Sequence, residues 1–341
     1  MIYKRQKAWF GTRFLLSLAG LLSACGGHSR QVIVYTSVDQ PFAEPVLQSF
    51  QQETGVNVRP VYDVEAAKTT GLVNRLIAEK SRPQADVFWS SDTVRTLILK
   101  RRGVLAPYRS PSAEAIPVQF RDPERYWTGF AARARLLLVN THLVKDSEMP
   151  KSVMELADPK WRGRVSMPYP LFGTMSAHVA ALFLVLGDEK ARDYFRALKA
   201  NGVLVVDGNA ESRDRVAAGD VAVGFTDTDD ANVAVQAGKP VRTIYPDQDG
   251  FGTLLIPNTV ALIAGAPNPD QGKRLIDYLL SAAVEERLAN GESAQIPLWP
   301  GVKAPKGLRP ADEIKTMPID WNRLADKLDE AMKFAQETFV R

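Results

Sequence analysis

Short runs of β-branched and aromatic residues alternate along this chain with longer stretches whose apolar positions recur every three or four residues. Val32-Ile33-Val34-Tyr35 is a run of the first kind and predicts a buried strand. Pro41 then opens a helical pattern with Phe42, Val46, Leu47 and Phe50 on one face, and Gly55 closes it. Residues 56–62 predict a second strand, Leu72, Leu76 and Ile77 a second helix, and residues 85–89 a third strand that stops at Ser90-Ser91-Asp92. Strand and helix in strict alternation imply a mostly parallel sheet covered on both faces.

A second α/β unit follows the run Arg133-Ala134-Arg135-Leu136-Leu137-Leu138-Val139-Asn140. Ser152 and Glu155 have the spacing of a capping box. Residues 177–186 and 191–198 predict helices, 203–206 a strand, 213–217 a short helix and 221–225 a strand. Thr259-Val260-Ala261-Leu262-Ile263 brings back a late strand, and Leu275, Ile276, Tyr278 and Leu279 mark the helix after it. The last helix has the clearest period: Leu324, Leu328, Ala331, Met332, Ala335 and Phe339 form one apolar stripe, expected to dock on a domain surface.

The N-terminus departs from this pattern. Lys4, Arg5, Lys7 and Arg13 precede an apolar run from Phe14 to Leu22, which ends in Ser23, Ala24 and Cys25. Basic, then apolar, then small residues are the order of a secretory signal, and the run is far short of the roughly 20 residues that span a bilayer. Leu22-Ser23-Ala24-Cys25 resembles the lipobox of bacterial lipoproteins, in which the thiol takes the lipid and becomes the mature N-terminus. Cys25 is the single cysteine of the chain, so no internal disulfide competes for it. The expectation is a signal over residues 1–24, a tether over 25–31, and a protein lipid-anchored in the periplasm or at the cell surface.

Removing that signal changes the charge reading. It holds four of the 43 Lys and Arg and none of the 39 Asp and Glu, which leaves 39 of each sign. A balanced mature chain without long single-sign runs gives no footprint for nucleic acid. What remains is still longer than the roughly 250–300 residues at which one core stops growing, so two domains are expected.

Tyr35-Thr36-Ser37, Ala85-Asp86-Val87-Phe88-Trp89 and the segment Glu155-Leu156-Ala157-Asp158-Pro159-Lys160-Trp161-Arg162-Gly163-Arg164 stand out in order and spacing. They resemble the family 1 extracellular solute-binding proteins, in particular the ferric-iron-binding branch of ABC importers. The resemblance runs from about Val32 to the C-terminal helix. It implies an α/β fold of the type II periplasmic-binding-protein kind, with two lobes joined by crossing strands. Lobe one is expected over residues 32–125 and 258–300, and lobe two over 126–257 and 301–341 with the C-terminal helix. The resemblance further implies a monomer that holds a small charged ligand in the cleft and hands it to permease and ATPase subunits, without a catalytic cofactor.

The physics of open α/β sheets points to one place. Ligands sit beyond the carboxyl ends of strands, where loops and helix N-termini present free amides. The candidates there are Ser37, Asp39, Ser90, Asp92, Gly173, Thr174, Asn209 and the segment Thr226-Asp227-Thr228-Asp229-Asp230. Three carboxylates in four residues repel one another unless a cation or helix amides share the charge, so both cation binding and capping of the next helix stay open.

The family branch places adjacent tyrosines at about this position; here the matching positions fall at or next to Asp229 and Asp230, and the chain has no Tyr-Tyr pair. Asp39 falls near a frequent histidine of that branch. Asp229, Asp230 and Asp39 are therefore the candidate metal ligands. Asn209 matches a residue that holds a companion anion, and Arg133 and Arg135 are similarly placed basic residues. Strand alternation is expected to leave only one of those two arginines facing the cleft. Carboxylates are hard donors, which allows Fe(III) with a companion anion, but also Ca, Mn or a protonated amine. A small zwitterion or anion such as an aminophosphonate fits a site of both signs.

Catalysis has little to rest on. His28, His142 and His178 are isolated, and HExxH, Gly-x-Ser-x-Gly, Walker A and GxGxxG patterns do not occur. A carboxylate-dependent secreted hydrolase is the one enzyme reading that the aspartates leave open.

Overall fold

The computed structural model describes residues 30–63 and 71–339. The expected signal, Cys25 and most of the tether lie outside the described residues. In chain order the first elements are β1 (Gln31–Thr36), α1 (Gln40–Thr54), β2 (Asn57–Tyr62), α2 (Gly71–Ala78), β3 (Val87–Ser90), α3 (Thr93–Arg101) and β4 (Leu105–Ala106). β5 (Thr128–Asn140), β6 (Val165–Pro168), α4 (Gly173–Leu186), α5 (Asp188–Ala200), β7 (Leu204–Val206), α6 (Asn209–Ala218), β8 (Val223–Asp227), α7 (Thr228–Gln236) and β9 (Val241–Ile244) follow. β10 (Leu255–Ile263), α8 (Pro269–Leu279), α9 (Ala282–Asn290) and α10 (Trp321–Phe339) come last.

Local signals act where expected. α1 ends at Gly55, whose φ of 68° lets its N–H return to Gln51 O at 2.9 Å. Ser152 and Glu155 do form the capping box, on a single turn of 3-10 helix. Sequence periodicity gave no sign of α3, β4, β9 or α9. α3 is the instructive case: Thr93, Val94, Thr96, Leu97 and Leu99 are all buried, so no polar face interrupts the pattern.

Strand pairing divides the fold. β1 pairs in parallel with β2 and β3, and β6 in parallel with β7 and β8. Every pair made by β5 or β10 is antiparallel. The first half of β5 lies on β10, in the sheet of β1 to β4; its second half lies on β8 and β9, in the other sheet. Each lobe thus has a parallel set of strands, to which the crossing strands β5 and β10 add in antiparallel order. Strand alternation fills both faces of the first sheet. Val32, Val34, Val87 and Trp89 join α1 and α8 on one side, while Tyr35 and Phe88 meet α2 and α3 on the other.

α10 packs on α4 and α5 of the second lobe, through Phe334 against Phe183 and Phe195. It also reaches the first lobe, where Arg101 of α3 pairs with Asp326 at 2.6 Å and donates to Asn322 O at 2.5 Å. The helix therefore touches both lobes, its apolar stripe meeting α4 and α5 and its polar side meeting Arg101 of α3.

The two crossing strands share an irregular point. Ala132 faces Pro257 and Phe130 faces Asn258, which leaves Ala131 without a partner on β10 and at a φ of 43°. Its N–H goes instead to Glu285 Oε1 of α9 at 3.1 Å, while Glu285 Oε2 accepts from Leu298 N at 2.9 Å. Asn258 Nδ2 donates to Ala131 O and, at 2.6 Å, to Gln295 Oε1. Burial pushes the Glu285 carboxyl up to about 7, although three backbone N–H groups work against it. A folded value above the unfolded one means the native state binds the extra proton, so this group's contribution to stability falls as pH rises from about 4.5 to 7. The difference in unfolding free energy between wild type and Glu285→Gln should change by about 2–3 kcal/mol between pH values of about 5 and 8. Urea denaturation at both pH values measures it, and a constant difference would show that Glu285 stays ionised throughout.

Candidate functional site

β8 carries an apolar strand straight into the acidic segment, with Asp227 at its end and Asp229 and Asp230 in the first turn of α7. Asp227 occupies the N-cap position of α7 but its side chain caps nothing there. Its carboxylate, fully buried, is turned toward the starts of α4 and α6 and toward β5. Arg135 Nη1 donates to Asp227 Oδ1 at 2.6 Å, and Thr174 Oγ1 and Asn209 Nδ2 donate to Oδ2 at 2.7 and 2.9 Å. Burial raises the Asp227 carboxyl, but Arg135 and Arg133 more than reverse that, so it sits below its ordinary value.

Arg133 also faces these carboxylates. Its Nη1 is 3.6 Å from Asp227 Oδ2 and 3.4 Å from Asp229 Oδ2. The expectation that only one of Arg133 and Arg135 faces the site is thus corrected: residues two apart on a strand share a face. Arg133 Nη2 donates to Ser91 O at 2.6 Å, at the carboxyl end of β3. One guanidinium on the crossing strand therefore touches both lobes. Burial pulls its pKa down, but the charges of Asp229, Asp227 and Asp39 raise it further.

Asp39 faces the same point from the first lobe. It stands at the N-cap of α1 without capping it, and its charge acts on both Arg133 and Asp229. Ser37 and Ser91 lock the ends of β1 and β3 together, with Ser91 N donating to Ser37 Oγ at 3.0 Å. Ser90 and Asp92 are spent on the β3–α3 corner: Ser90 Oγ accepts from Asp92 N at 3.2 Å, and Asp92 Oδ1 from Arg95 N at 3.0 Å. Gly173 opens α4 with a φ of 55° and offers only backbone. Arg213 was missed. It lies one helical turn after Asn209 on α6 and pairs with Asp230 at 3.1 Å, a spacing that could have flagged it.

Charge is not fully balanced at the acidic turn. Asp229 Oδ1 and Arg133 Nε are buried without a hydrogen-bond partner among the described residues. Burial raises the Asp229 carboxyl, and burial with the charges of Asp229 and Asp227 lifts Asp230 to about 8. No three His, Cys, Asp or Glu side chains converge on one point among the described residues, so Asp39, Asp229 and Asp230 are not a ready-made three-carboxylate cage. Asp229 pairs instead with Arg133 and Asp230 with Arg213. A groove of about 750 Å³ lies elsewhere, along Phe120, Leu298 and Trp299, and none of the site residues borders it. Convergent charged groups, not open volume, mark the candidate site between the lobes.

The family model described as bacterial extracellular solute-binding protein matches residues 83–327, most of the chain. The chain belongs to that family. This solute-binding protein is 26% identical to iron uptake protein A1 of Synechocystis sp., over 99% of each chain. Its fold matches iron-bound HitA from Pseudomonas aeruginosa with a TM-score of 0.81 and 22% identity, covering 91% of this chain and 99% of that one. AfuA from Actinobacillus pleuropneumoniae, with exogenous fructose-6-phosphate bound, matches with a TM-score of 0.79 and 21% identity, covering 91% and 98%. At such identities these structures speak for the two-lobed type II fold alone. No helix among the described residues is long and apolar enough to cross a membrane.

Proposed function

We propose that this protein is the solute-binding component of an ABC importer and that it captures a hard cation, ferric iron foremost, between its lobes. The supporting observation is the buried, unpartnered Asp229 Oδ1 beside an Asp230 carboxyl held at about 8. Two carboxyls pushed up by burial and by neighbouring aspartates are stabilised by a positive charge, and their hard oxygens suit Fe(III). The relative named iron uptake protein A1 points the same way. Asp229 and Asp230 serve as ligands from the second lobe and Asp39 from the first. The lobes comprise residues 32–125 with 258–300, and 126–257 with 301–341.

Contacts from both lobes favour the shut state, which is the form a permease and its ATPase recognise. A lipid on Cys25 holds the monomer to a bacterial membrane on its outer or periplasmic side. The reading is one of binding without turnover.

One observation favours a second ligand class. Arg133 Nε is buried and unpartnered at the same point, and a structural neighbour holds a sugar phosphate. A zwitterion such as an aminophosphonate would meet Arg133 with its anionic end and Asp229 with its cationic end.

Native mass spectrometry of the purified protein, followed by titration with ferric nitrilotriacetate, calcium, manganese and 2-aminoethylphosphonate, separates the two. Bound iron, and a melting point raised by iron more than by the other probes, is the expected result. A response to the phosphonate alone would overturn the cation reading, and chemically altered probe after incubation would overturn the reading of binding without turnover.

A further inference from the structure

Three hydrogen-bond donors and a second guanidinium of this chain meet at one buried carboxylate. Arg135 Nη1 reaches Asp227 Oδ1 at 2.6 Å, while Thr174 Oγ1 and Asn209 Nδ2 reach Oδ2 at 2.7 and 2.9 Å, and Arg133 Nη1 stands 3.6 Å from Oδ2. Thr174 and Asn209 are the second and first residues of α4 and α6, so two positive helix ends look toward the same place. Neither helix has a side-chain cap of its own. Arg135 is itself fully buried and Thr174 nearly so. A guanidinium, a hydroxyl, an amide and two helix N-termini around one point are the makings of an oxyanion site. Its occupant is supplied by the chain.

We propose that Asp227 is a built-in anion: it fills this oxyanion site permanently, so that the protein takes its ligand without a companion anion from solution. The geometry of α7 supports the assignment independently. Asp227 stands at that helix's N-cap, where an aspartate ordinarily accepts from the helix's own amides, yet its side chain makes no such bond. It is turned away from its own helix onto the starts of two others. Asn209 has neither end of its amide to spare, since Oδ1 accepts from Arg135 at 2.8 Å while Nδ2 serves Asp227 and Thr174. Arg135 is neutralised in the same contact. Among the described residues gathered here the remaining guanidiniums are Arg133 and Arg213, and these already face Asp229 and Asp230. Asp227 thereby acts as a specificity-determining residue, setting the site against free anions and toward cations.

The consequence for the ligand rests on the cation reading above; the filled oxyanion site does not, and the test keeps them apart. In Asp227→Ala the donors lose their carboxylate, and a small anion should take its place. Formate, acetate or phosphate, without any metal, should raise the melting point of the variant by several degrees while leaving wild type unmoved. If the variant does not fold alone, its refolding yield with and without formate gives the same reading. Asp227→Ala with Arg135→Met, which removes the guanidinium as well, should lose most of the response. Wild type loaded from ferric nitrilotriacetate should show the native mass of chain plus iron with no added anion. Equal anion responses in wild type and Asp227→Ala, or an anion in the mass of the loaded wild type, would overturn the proposal. Wild type that takes no iron would sink the cation reading while the anion response of the variant still settles the role of Asp227.

Discussion

Replacing Arg135 by alanine should lower the unfolding free energy by about 3–5 kcal/mol, the usual cost of breaking one side of a buried ion pair. The size follows from what the side chain leaves behind. Asp227 is fully buried, Arg135 Nη1 contacts it at 2.6 Å, and the same nitrogen holds Thr174 and Asn209 at 3.0 and 2.8 Å. Without the guanidinium, a carboxylate in low dielectric keeps only neutral donors and the more distant Arg133. Urea denaturation of the protein without ligand measures the loss. The double replacement Arg135→Met with Asp227→Leu should recover most of it, because two apolar groups leave no charge stranded. A single variant within about 1 kcal/mol of wild type would mean that water reaches this pair. The pair also sets an acid limit. Asp227 titrates below its ordinary value, so its contribution is present above the unfolded pKa and is lost as pH falls through the folded one.

Asp229→Asn combined with Asp230→Asn should weaken cation binding at least tenfold, or about 1.4 kcal/mol, while leaving the unfolding free energy within about 1 kcal/mol of wild type or above it. Affinity and stability part company here because both carboxyls sit above their ordinary values through burial, which marks them as costly to ionise in the folded chain. The amides keep the shape and can still accept from Arg133 and Arg213. Ionisable groups retained at an energetic cost are what a binding site requires and a core does not. Titration calorimetry with ferric nitrilotriacetate, beside urea denaturation, checks both halves. Unchanged affinity would remove Asp229 and Asp230 from the ligand set. A large loss of stability would show that they are structural counter-ions of Arg133 and Arg213.

The alternation of strand and helix, the Gly55 stop, the capping box at Ser152 and the acid-rich end of β8 were all legible in the chain, since each depends on neighbours within a few residues. The three aspartates were visible as a cluster, yet their division of labour was not. Asp227 meets Arg135 across 92 residues and Asp229 meets Arg133 across 96, distances over which no local pattern carries information. In the sequence, capping and cation binding compete for the same segment; in the folded chain Asp227 caps nothing and answers to α4, α6 and β5.

β5 shows the same boundary from the side of the backbone. Its apolar residues announce a buried strand, and an extended chain looks alike whichever sheet it joins. That its first half lies on β10 and its second on β8, with Ala131 bulged out between and held by Glu285, follows from partners 84 to 154 residues away. Periodicity and turn chemistry are written in neighbouring residues, so they name the elements. Which charge neutralises which depends on how two sheets close over a shared strand, and closure is a property of the packed molecule.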